Sequence, residues 1–178
     1  KDPDTSDVMG IMSIRDVEQI KKLEQEMKNR AERDSLCKLF NHGATKQRIS
    51  DFLDSHEGRN NQHAFLLFDI DNFKNINDTH GHLLGDLLLS ELADSTKGII
   101  RSTDVLGRVG GDEFILFIKN ITTVETAVRK AREINRTITS LELSDARDLS
   151  VSVSIGVSMC PEHGMSFEEL YRHADIAL

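Results

Sequence analysis

The segment Ala64–Ile70 (AFLLFDI) constrains the fold more than any other part of this sequence. A nearly continuous apolar run of this length is typical of a central strand that is covered on both faces. It therefore predicts an α/β or α+β chain whose central sheet packs against helices. Because side chains alternate along a strand, Asp69 and Asp71 should face one side of the sheet and Ile70 the other.

The flanking segments predict the rest of this sheet and its helices. Two short strands, 104–108 and 113–119, are joined by Gly110-Gly111, which is a hairpin signal. The other predicted elements are a helix that ends near Ser55, a polar loop at 57–62, helices at 83–100 and 122–140, a strand at 150–158 and a helix from about Ser166. The order α-β-α-β-β-α-β-α implies a mixed, mainly antiparallel sheet flanked by helices.

Residues 13–34 predict a charged helix ahead of the globular part of the chain. Its apolar stripe consists of Ile20, Leu23, Met27 and Ala31. This stripe is too narrow to bury against a domain core and too short to establish a coiled coil. We interpret residues 1–33 as a linker or signalling helix that pairs with its twin in a dimer. A solvated terminal helix is the alternative, and the globular domain is expected to span 34–178.

Composition narrows the classes of function. A net charge of −8 argues against a nucleic-acid polymer as partner, but it allows a nucleotide whose phosphates are bound through magnesium. The two cysteines, Cys37 and Cys160, lack the spacing of a zinc site, which favours a reducing compartment. No apolar run is long enough to cross a bilayer. We expect no membrane contact by this segment and a cytoplasmic location, alone or as part of a larger, membrane-anchored sensor.

Two acidic clusters carry most of the candidate chemistry. Asp69 and Asp71 end the buried strand, and Asp112-Glu113 lies at the tip of the hairpin. Carboxylates at the ends of apolar strands are costly unless a positive charge meets them, and Mg²⁺ or Mn²⁺ prefers such oxygens. If the hairpin lies beside the strand, Asp69 and Asp112 could converge on a cation. The structural alternatives are an ordinary turn or cap residue and an ordinary hairpin.

The polar segment between these clusters is dense in groups that can bind a nucleotide. Lys74 supplies a positive charge for phosphate, while Asn77 and Asp86 offer donors and acceptors suited to a guanine edge. Gly81 and Gly85 permit a close backbone approach or a positive φ. A polar turn that leads into a capped helix would explain much of this segment without any ligand.

Several motifs resemble those of the GGDEF family of diguanylate cyclases. They are Arg108-Val-Gly-Gly-Asp-Glu-Phe114, Asp69-Ile-Asp-Asn-Phe-Lys-Asn-Ile-Asn-Asp78, Gly81-His82, Gly85-Asp86, Asp34-x-Leu36-x-x-Leu39-x-Asn41, Ser154-Ile-Gly-Val157 and Ala174-Asp175-x-Ala177-Leu178. These motifs follow the family's order and spacing, and together they cover about residues 34–178. The resemblance implies a fold related to the palm of polymerases and adenylyl cyclases.

The resemblance also implies catalytic and metal-binding roles. Asp69, the carbonyl of Ile70 and Asp112 would hold two Mg²⁺ or Mn²⁺ ions, with Glu113 as a further metal or phosphate-side carboxylate. Lys74 would stabilise charge on the phosphates, and Asp112 would assist deprotonation of the attacking hydroxyl. The implied reaction is in-line attack of a ribose 3′-hydroxyl on an α-phosphate, which releases pyrophosphate.

A second implied set of residues would bind the substrate, GTP. Asn77 and Asp86 would read guanine, and His82 would support that pocket. The remaining contacts would come from backbone at Asn72, Phe73, Gly110 and Gly111. Each half of the product, cyclic di-GMP, supplies both a nucleophile and an electrophile, so two such sites must face each other. The resemblance therefore implies a homodimer, with a sensor domain upstream.

Arg101-Ser-Thr-Asp104 matches the family's RxxD inhibitory site, where cyclic di-GMP binds and arrests the enzyme. Arginine can grip guanine or phosphate bidentately, and the aspartate can accept from guanine N–H groups. An ordinary structural pair is the alternative. The chain departs from the family at Cys37 (usually Thr), His42 (usually Arg) and Val109 (usually aromatic). It also stops at Leu178, before a phosphate-binding lysine of the family, so we expect the domain to continue beyond it.

Three rival functions differ in what they leave unexplained. A non-catalytic receptor for GTP or cyclic di-GMP could use the same fold, although degenerate members usually lose the acidic residues of the hairpin. Synthesis of another cyclic dinucleotide is a close enzymatic rival, which Asn77 and Asp86 disfavour. A purely structural interaction domain would leave the paired acidic clusters without a reason.

Overall fold

The apolar segment forms strand β1 (His63–Ile70), which lies inside a four-stranded sheet of order β2-β3-β1-β4. The structure, a computed structural model, describes residues 4–141 and 149–178, with side chains from residue 17 onward. The other strands are β2 (Val105–Gly110), β3 (Glu113–Ile118) and β4 (Val153–Cys160). Every pairing is antiparallel, which confirms the mainly antiparallel sheet. In the described residues, parallel pairing is limited to one isolated bridge between Phe40 and Gly107.

Seven helices are described, and the predicted helical cover of the sheet is confirmed. They are α1 (Asp4–Ala31), α2 (His42–Asp54), α3 (His56–Asn60), α4 (Phe73–His80), α5 (His82–Gly98), α6 (Val124–Thr139) and α7 (Phe167–Ala177). The chain divides after Arg33 into two compact units, the first of which contains α1.

Strand β1 separates two hydrophobic clusters because its side chains alternate. Ala64, Leu66 and Phe68 belong to the cluster that includes residues of α5 and α6, while Phe65 and Leu67 belong to the cluster with α2 and α7. All five side chains are 0% exposed. Burying a large apolar side chain contributes about 1.5–3 kcal/mol. The position of the acidic end of β1 is therefore fixed by the core.

Two short helices differ from the sequence prediction. Helix α3 lies within the segment expected to be a polar loop, and α4 occupies the polar segment that follows β1. Each has a single buried residue, Gly58 in α3 and Ile76 in α4, so neither presents the repeating apolar face that signals a helix.

The ends of several elements also differ from the prediction. Strand β4 begins and ends later than the predicted 150–158, because it pairs with β1 as far as Cys160 opposite His63. Helix α2 begins at His42, where the side chain of Asn41 accepts a hydrogen bond from the amide of Ala44 at 3.0 Å. Helix α7 begins near the predicted start, with a capping box formed by Ser166 and Glu169.

The predicted apolar stripe of the N-terminal helix is exposed on α1. Ile20, Leu23 and Met27 are 55%, 51% and 63% exposed, and Val17 extends the stripe at 48%. No helix in the described ranges has the length and apolar character that a bilayer span requires.

Candidate active site

The two acidic clusters meet at one end of the sheet. Strands β1 and β3 pair so that Asp69 lies directly opposite Glu113. Asp112 lies at the tip of the β2–β3 hairpin, where Gly111 has a φ of +29° that favours glycine. The structure thus brings Asp69 together with two carboxylates, Asp112 and Glu113, that lie more than 40 residues later in the sequence.

A cavity of about 520 Å³ opens at this end of the sheet. Its lining includes six residues predicted for the site, which are Asp69, Ile70, Asn72, Phe73, Lys74 and Asp112. It also includes four that the sequence analysis gave no role, which are Asp71, Ser154, Asp175 and Leu178. A larger cavity of about 770 Å³ runs along α6 and contains none of the predicted residues, so the chemistry of the lining, not its size, identifies the site.

Burial and mutual repulsion raise the pKa of two of these carboxylates, Asp69 and Glu113. Burial, followed by the charges of Asp112 and Asp71, raises the pKa of Asp69 above its usual value. Burial, followed by the charges of Asp112, Asp69 and Asp175, likewise raises the pKa of Glu113. Carboxylates that repel one another in this way are stabilised by a cation between them.

The donor set fits a hard divalent cation. Mg²⁺ is usually bound through one or two carboxylates, and it keeps its other positions for water and substrate phosphates. Asp69, Asp112 and the carbonyl of Ile70 all belong to the lining of the one cavity. In the described part of the chain, no group of three or more His, Cys, Asp or Glu side chains forms a ready-made metal cage.

The turn after β1 presents backbone donors to the same cavity. Asn72 adopts a left-handed conformation with φ of +58° and precedes α4 without capping it through its side chain. Phe73 and Lys74 are the first residues of this helix, and the first amides of a helix lack partners within it. Such amides bind phosphate oxygens, and the exposed Lys74 adds a positive charge beside them.

Asn77 and Gly85 pack together where α4 and α5 meet. The Oδ1 atom of Asn77 is buried and has no hydrogen-bond partner in the described residues. A Cβ on Gly85 would lie 2.0 Å from this oxygen, so glycine is required for the close approach. Asp86 follows on the exposed side of α5, and His82 is exposed at the start of that helix. Neither side chain lines the acidic cavity.

Arg108 holds the hairpin in place, a role that the sequence analysis missed. Its Nε and Nη2 donate to the carbonyl of Gly111 at 2.8 and 2.6 Å, and its Nη1 lies 3.2 Å from Oδ1 of Asp34. The same oxygen accepts hydrogen bonds from the amides of Cys37 and Leu36. Burial opposes the charge on Asp34, but these bonds and Arg108 lower its pKa overall. The sequence did offer one clue to this role, because Arg108 lies two residues before Gly110-Gly111.

Two predicted residues of the hairpin strands, Glu113 and Gly110, also lie outside the acidic cavity. The side chain of Glu113 lines a separate cavity of about 410 Å³ together with His42, Lys46 and Tyr171. The exposed Gly110 belongs to the hairpin and lines neither cavity.

Arg101 and Asp104 form a turn ahead of β2. The Asp104 carboxylate accepts hydrogen bonds from the amides of Arg101 at 3.1 Å and Lys119 at 3.2 Å. Both members of the pair line a cavity of about 190 Å³ with Arg129 and Lys130, separate from the acidic one. The Asp104 side chain thus supports the turn itself, while the Arg101 residue is exposed.

Comparison with known proteins agrees with this geometry. The family described as "Diguanylate cyclase, GGDEF domain" matches residues 31–178. Diguanylate cyclase TpbB of Pseudomonas aeruginosa is 34% identical over 151 residues, which are 84% of this chain and 35% of that protein. Cyclic di-GMP phosphodiesterase PdeR of Escherichia coli is 28% identical over 173 residues, which are 97% of this chain and 26% of PdeR. The chain thus spans about a third or less of these relatives.

A solved structure extends the similarity to the fold. A sensory box/GGDEF family protein from Caulobacter crescentus superposes with a TM-score of 0.76 and 33% identity. The match covers 83% of this chain and 95% of that one. The resemblance drawn from the sequence motifs is confirmed, and the chain belongs to the GGDEF family of diguanylate cyclase domains.

Proposed function

We propose that this domain condenses two GTP molecules into cyclic di-GMP and two pyrophosphates. The observation that carries the proposal is the single cavity shared by Asp69, Asp112 and the turn Asn72–Lys74. A triphosphate needs both features, because its charge must be met by cations and its oxygens by hydrogen-bond donors.

Metal ions would complete this cavity. Asp69, the carbonyl of Ile70 and Asp112 would hold two Mg²⁺ or Mn²⁺ ions, and Glu113 would be the next carboxylate available to the metal or the phosphates. Bound ions would make the attacking hydroxyl more acidic and neutralise the leaving pyrophosphate.

The chain's own residues would orient and polarise the substrate. Asp112, at the tip of the hairpin, would accept the proton of the 3′-hydroxyl as it attacks the α-phosphate. Lys74 and the amides at Asn72 and Phe73 would donate to the phosphate oxygens, where negative charge grows during the reaction. These donors belong to the start of α4, which makes them a preorganised group.

The guanine base would lie on the other side of the same turn. Asn77 and Asp86 would hydrogen-bond its edge, with His82 in support. The unpartnered Oδ1 atom of Asn77 favours this assignment, because a guanine N–H group would supply the missing donor. The hairpin backbone at Gly110 and Gly111 would lie against the nucleotide.

Ring closure requires two such sites, so we propose that the active unit is a homodimer. Residues 1–33 would act as the linker helix that brings two domains together, and residues 34–178 as the catalytic domain. The exposed apolar stripe of α1 supports pairing with a second copy. The relatives named above are more than twice as long as this chain, which supports a place in a larger, sensor-controlled cytoplasmic protein.

Product control would operate at a separate position. Arg101 and Asp104 would bind cyclic di-GMP as an allosteric inhibitor. The neighbouring Arg129 in their cavity supports a site for an anion, while Lys130 there is paired with Glu133 at 2.7 Å.

The second candidate function is a non-catalytic receptor for GTP or cyclic di-GMP. The similarity to PdeR supports this second candidate. PdeR is named a phosphodiesterase, so a segment similar to this chain occurs in a protein with a different named activity. The receptor would bind nucleotide but form no product.

Incubation of the purified domain with GTP and Mg²⁺, followed by chromatographic product analysis, separates the two functions. The proposed cyclase yields cyclic di-GMP, and ATP in place of GTP yields no product. Tight nucleotide binding with no product at any protein concentration would support the receptor instead.

A further inference from the structure

Asp71 lines the acidic cavity, yet its carboxylate is bound by the neighbouring strand. Its Oδ1 accepts a hydrogen bond from the Ser154 hydroxyl at 2.7 Å, and its Oδ2 accepts one from the Ser152 hydroxyl. Its amide donates to the Ser152 carbonyl at 3.0 Å, one residue beyond the last β1–β4 pair, which is Ile70 with Val153. Backbone and side chain together therefore tie Asp71 to the start of β4.

The residue that follows Asp71 turns the chain toward α4. Asn72 has a φ of +58°, a left-handed conformation that asparagine adopts more readily than most non-glycine residues. Its side chain forms no capping bond to α4, although its carbonyl accepts from the amide of Ile76 at 3.1 Å. On the strand side, the contacts of Asp71 are what fix the course of this turn.

We infer that Asp71, Ser152 and Ser154 form a clamp that positions the turn Ile70–Lys74 for the triphosphate of GTP. Asp71 is then a positioning residue: each of its oxygens is held by one hydroxyl of the β4 side, and its part in placing the turn needs no contact with a metal. The inference rests on the proposed function only for the identity of the ligand. The clamp itself is a property of the free protein.

Two substitutions of Asp71 separate positioning from metal binding. Asp71→Asn keeps an oxygen acceptor and adds an N–H donor, and a serine hydroxyl can rotate to accept from it. Asp71→Ala removes the carboxylate and with it both hydrogen bonds to the serine hydroxyls. We expect Asn to keep kcat/KM and the Mg²⁺ requirement within roughly threefold, and Ala to lower kcat/KM about tenfold or more through misplacement of the turn. If Asn shifts the Mg²⁺ requirement as far as Ala does, Asp71 is a ligand and the inference fails.

The serines offer a test with a matched control. The double variant Ser152→Ala/Ser154→Ala leaves the Asp71 carboxylate in place but removes both donors. Ser158→Ala removes a buried hydroxyl from the same strand, one that donates to the carbonyl of Leu170 at 2.7 Å, far along β4 from the turn. Ser152→Thr/Ser154→Thr keeps both hydroxyls and should therefore retain wild-type behaviour, unlike the alanine double variant.

The readouts are amide hydrogen exchange over 71–74 in the free protein and affinity for a GTP analogue. The analogue carries a methylene group between its α- and β-phosphorus atoms, so it cannot release pyrophosphate. In the double variant we expect faster exchange and affinity lower by about tenfold. Both quantities should stay at wild-type values in Ser158→Ala.

Unchanged exchange and affinity in the double variant would overturn the clamp. If the wild-type domain binds no analogue, the proposed function fails. Exchange in the free protein then decides by itself whether the serines order the turn.

Discussion

Among single residues, Asn77 gives the clearest sign of a missing ligand. A buried oxygen without a partner costs about 1–3 kcal/mol, and Asn77 Oδ1 has none in the described residues. The cost is removed when a donor arrives. We therefore expect selection of guanine over adenine, because only guanine presents both ring and exocyclic N–H donors on the edge that would face Asn77 and Asp86.

Removing these groups should weaken GTP binding without harming the fold. We expect Asn77→Ala and Asp86→Ala each to reduce affinity by about 1–3 kcal/mol, the usual result of leaving a polar partner unpaired. Asn75→Ala, an exposed change on the same helix as Asn77, is the control and should bind as wild type. Competition between ATP and GTP in the wild type checks the premise, and equal competition would contradict it.

The acidic residues give a sharper prediction for turnover. Asp69→Ala and Asp112→Ala should each lower kcat by at least roughly 100-fold, because each removes a charge that the transition state requires. The melting temperature should not fall, since Asp69 lies at the end of β1 and Asp112 at the tip of the hairpin, outside both core clusters. Asp94→Ala, which breaks an exposed pair with Lys97 on α5, serves as the control. Near-normal turnover in either site variant would refute the assignment.

At the scale of secondary-structure elements, the contact between α4 and α5 tests whether the guanine pocket depends on helix packing. A methyl group at Gly85 would displace Asn77, whereas one at Gly98, on the same helix, meets nothing within 4 Å. We expect Gly85→Ala to raise KM for GTP about tenfold, and Gly98→Ala to keep KM and to stabilise the helix by about 0.4–1 kcal/mol. Steady-state kinetics with a melting curve measures both. Equal KM values for the two variants would show that Asn77 does not read the base.

Features encoded by a short run of residues could be predicted from the sequence, whereas features that depend on distant parts of the chain could not. The apolar run of β1 and the glycine hairpin are encoded locally and could be predicted. Their convergence depends on β3, and not β2, pairing with β1, which no local pattern determines. Helix α4 could not be predicted, because its only buried residue is Ile76. The engagement of Asp71 depends on where β4 starts and in which register it pairs, and neither is set by residues near Asp71.

For the molecule as a whole, His63 links the stability of the fold to pH. It is fully buried; with Nε2 protonated, it donates to the carbonyl of Gly58 at 3.0 Å, and its Nδ1 accepts from the amide of Asn120 at 3.0 Å. A second proton would face that amide. Burial lowers the pKa of His63 below its usual 6.5, an effect that Lys119 reinforces and that the Gly58 carbonyl and Glu57 oppose.

Stability should consequently fall as the pH drops below about 6.5. The unfolded chain binds the proton in this range and the folded chain does not, so the free energy of unfolding decreases by at most about 1.4 kcal/mol per pH unit for this group. Urea denaturation between pH 5 and 7.5 measures the slope. It should flatten in His63→Gln and persist in the control His56→Gln, an exposed change on α3; an identical slope in both variants would assign the effect to other groups.

Regulation is also a whole-molecule property. Arg101 and Asp104 line a cavity separate from the acidic one, so bound product would act by holding two half-sites apart and not by blocking substrate. We expect Arg101→Ala to relieve inhibition by cyclic di-GMP without lowering the initial rate. Arg59→Ala, a change to an exposed arginine paired with Asp54, is the control. Product titration under initial-rate conditions decides, and unchanged inhibition in Arg101→Ala would make Arg101–Asp104 a structural pair.

The central claim is that two copies of the cavity between Asp69 and Asp112, one in each protomer, join two GTP molecules. The most direct measurement quantifies pyrophosphate and cyclic di-GMP in one reaction, for the wild-type domain and for Asp112→Ala. We predict two pyrophosphates for each cyclic di-GMP from the wild-type domain, and neither product from Asp112→Ala. Pyrophosphate release without the cyclic dinucleotide, or equal yields from both proteins, would contradict it.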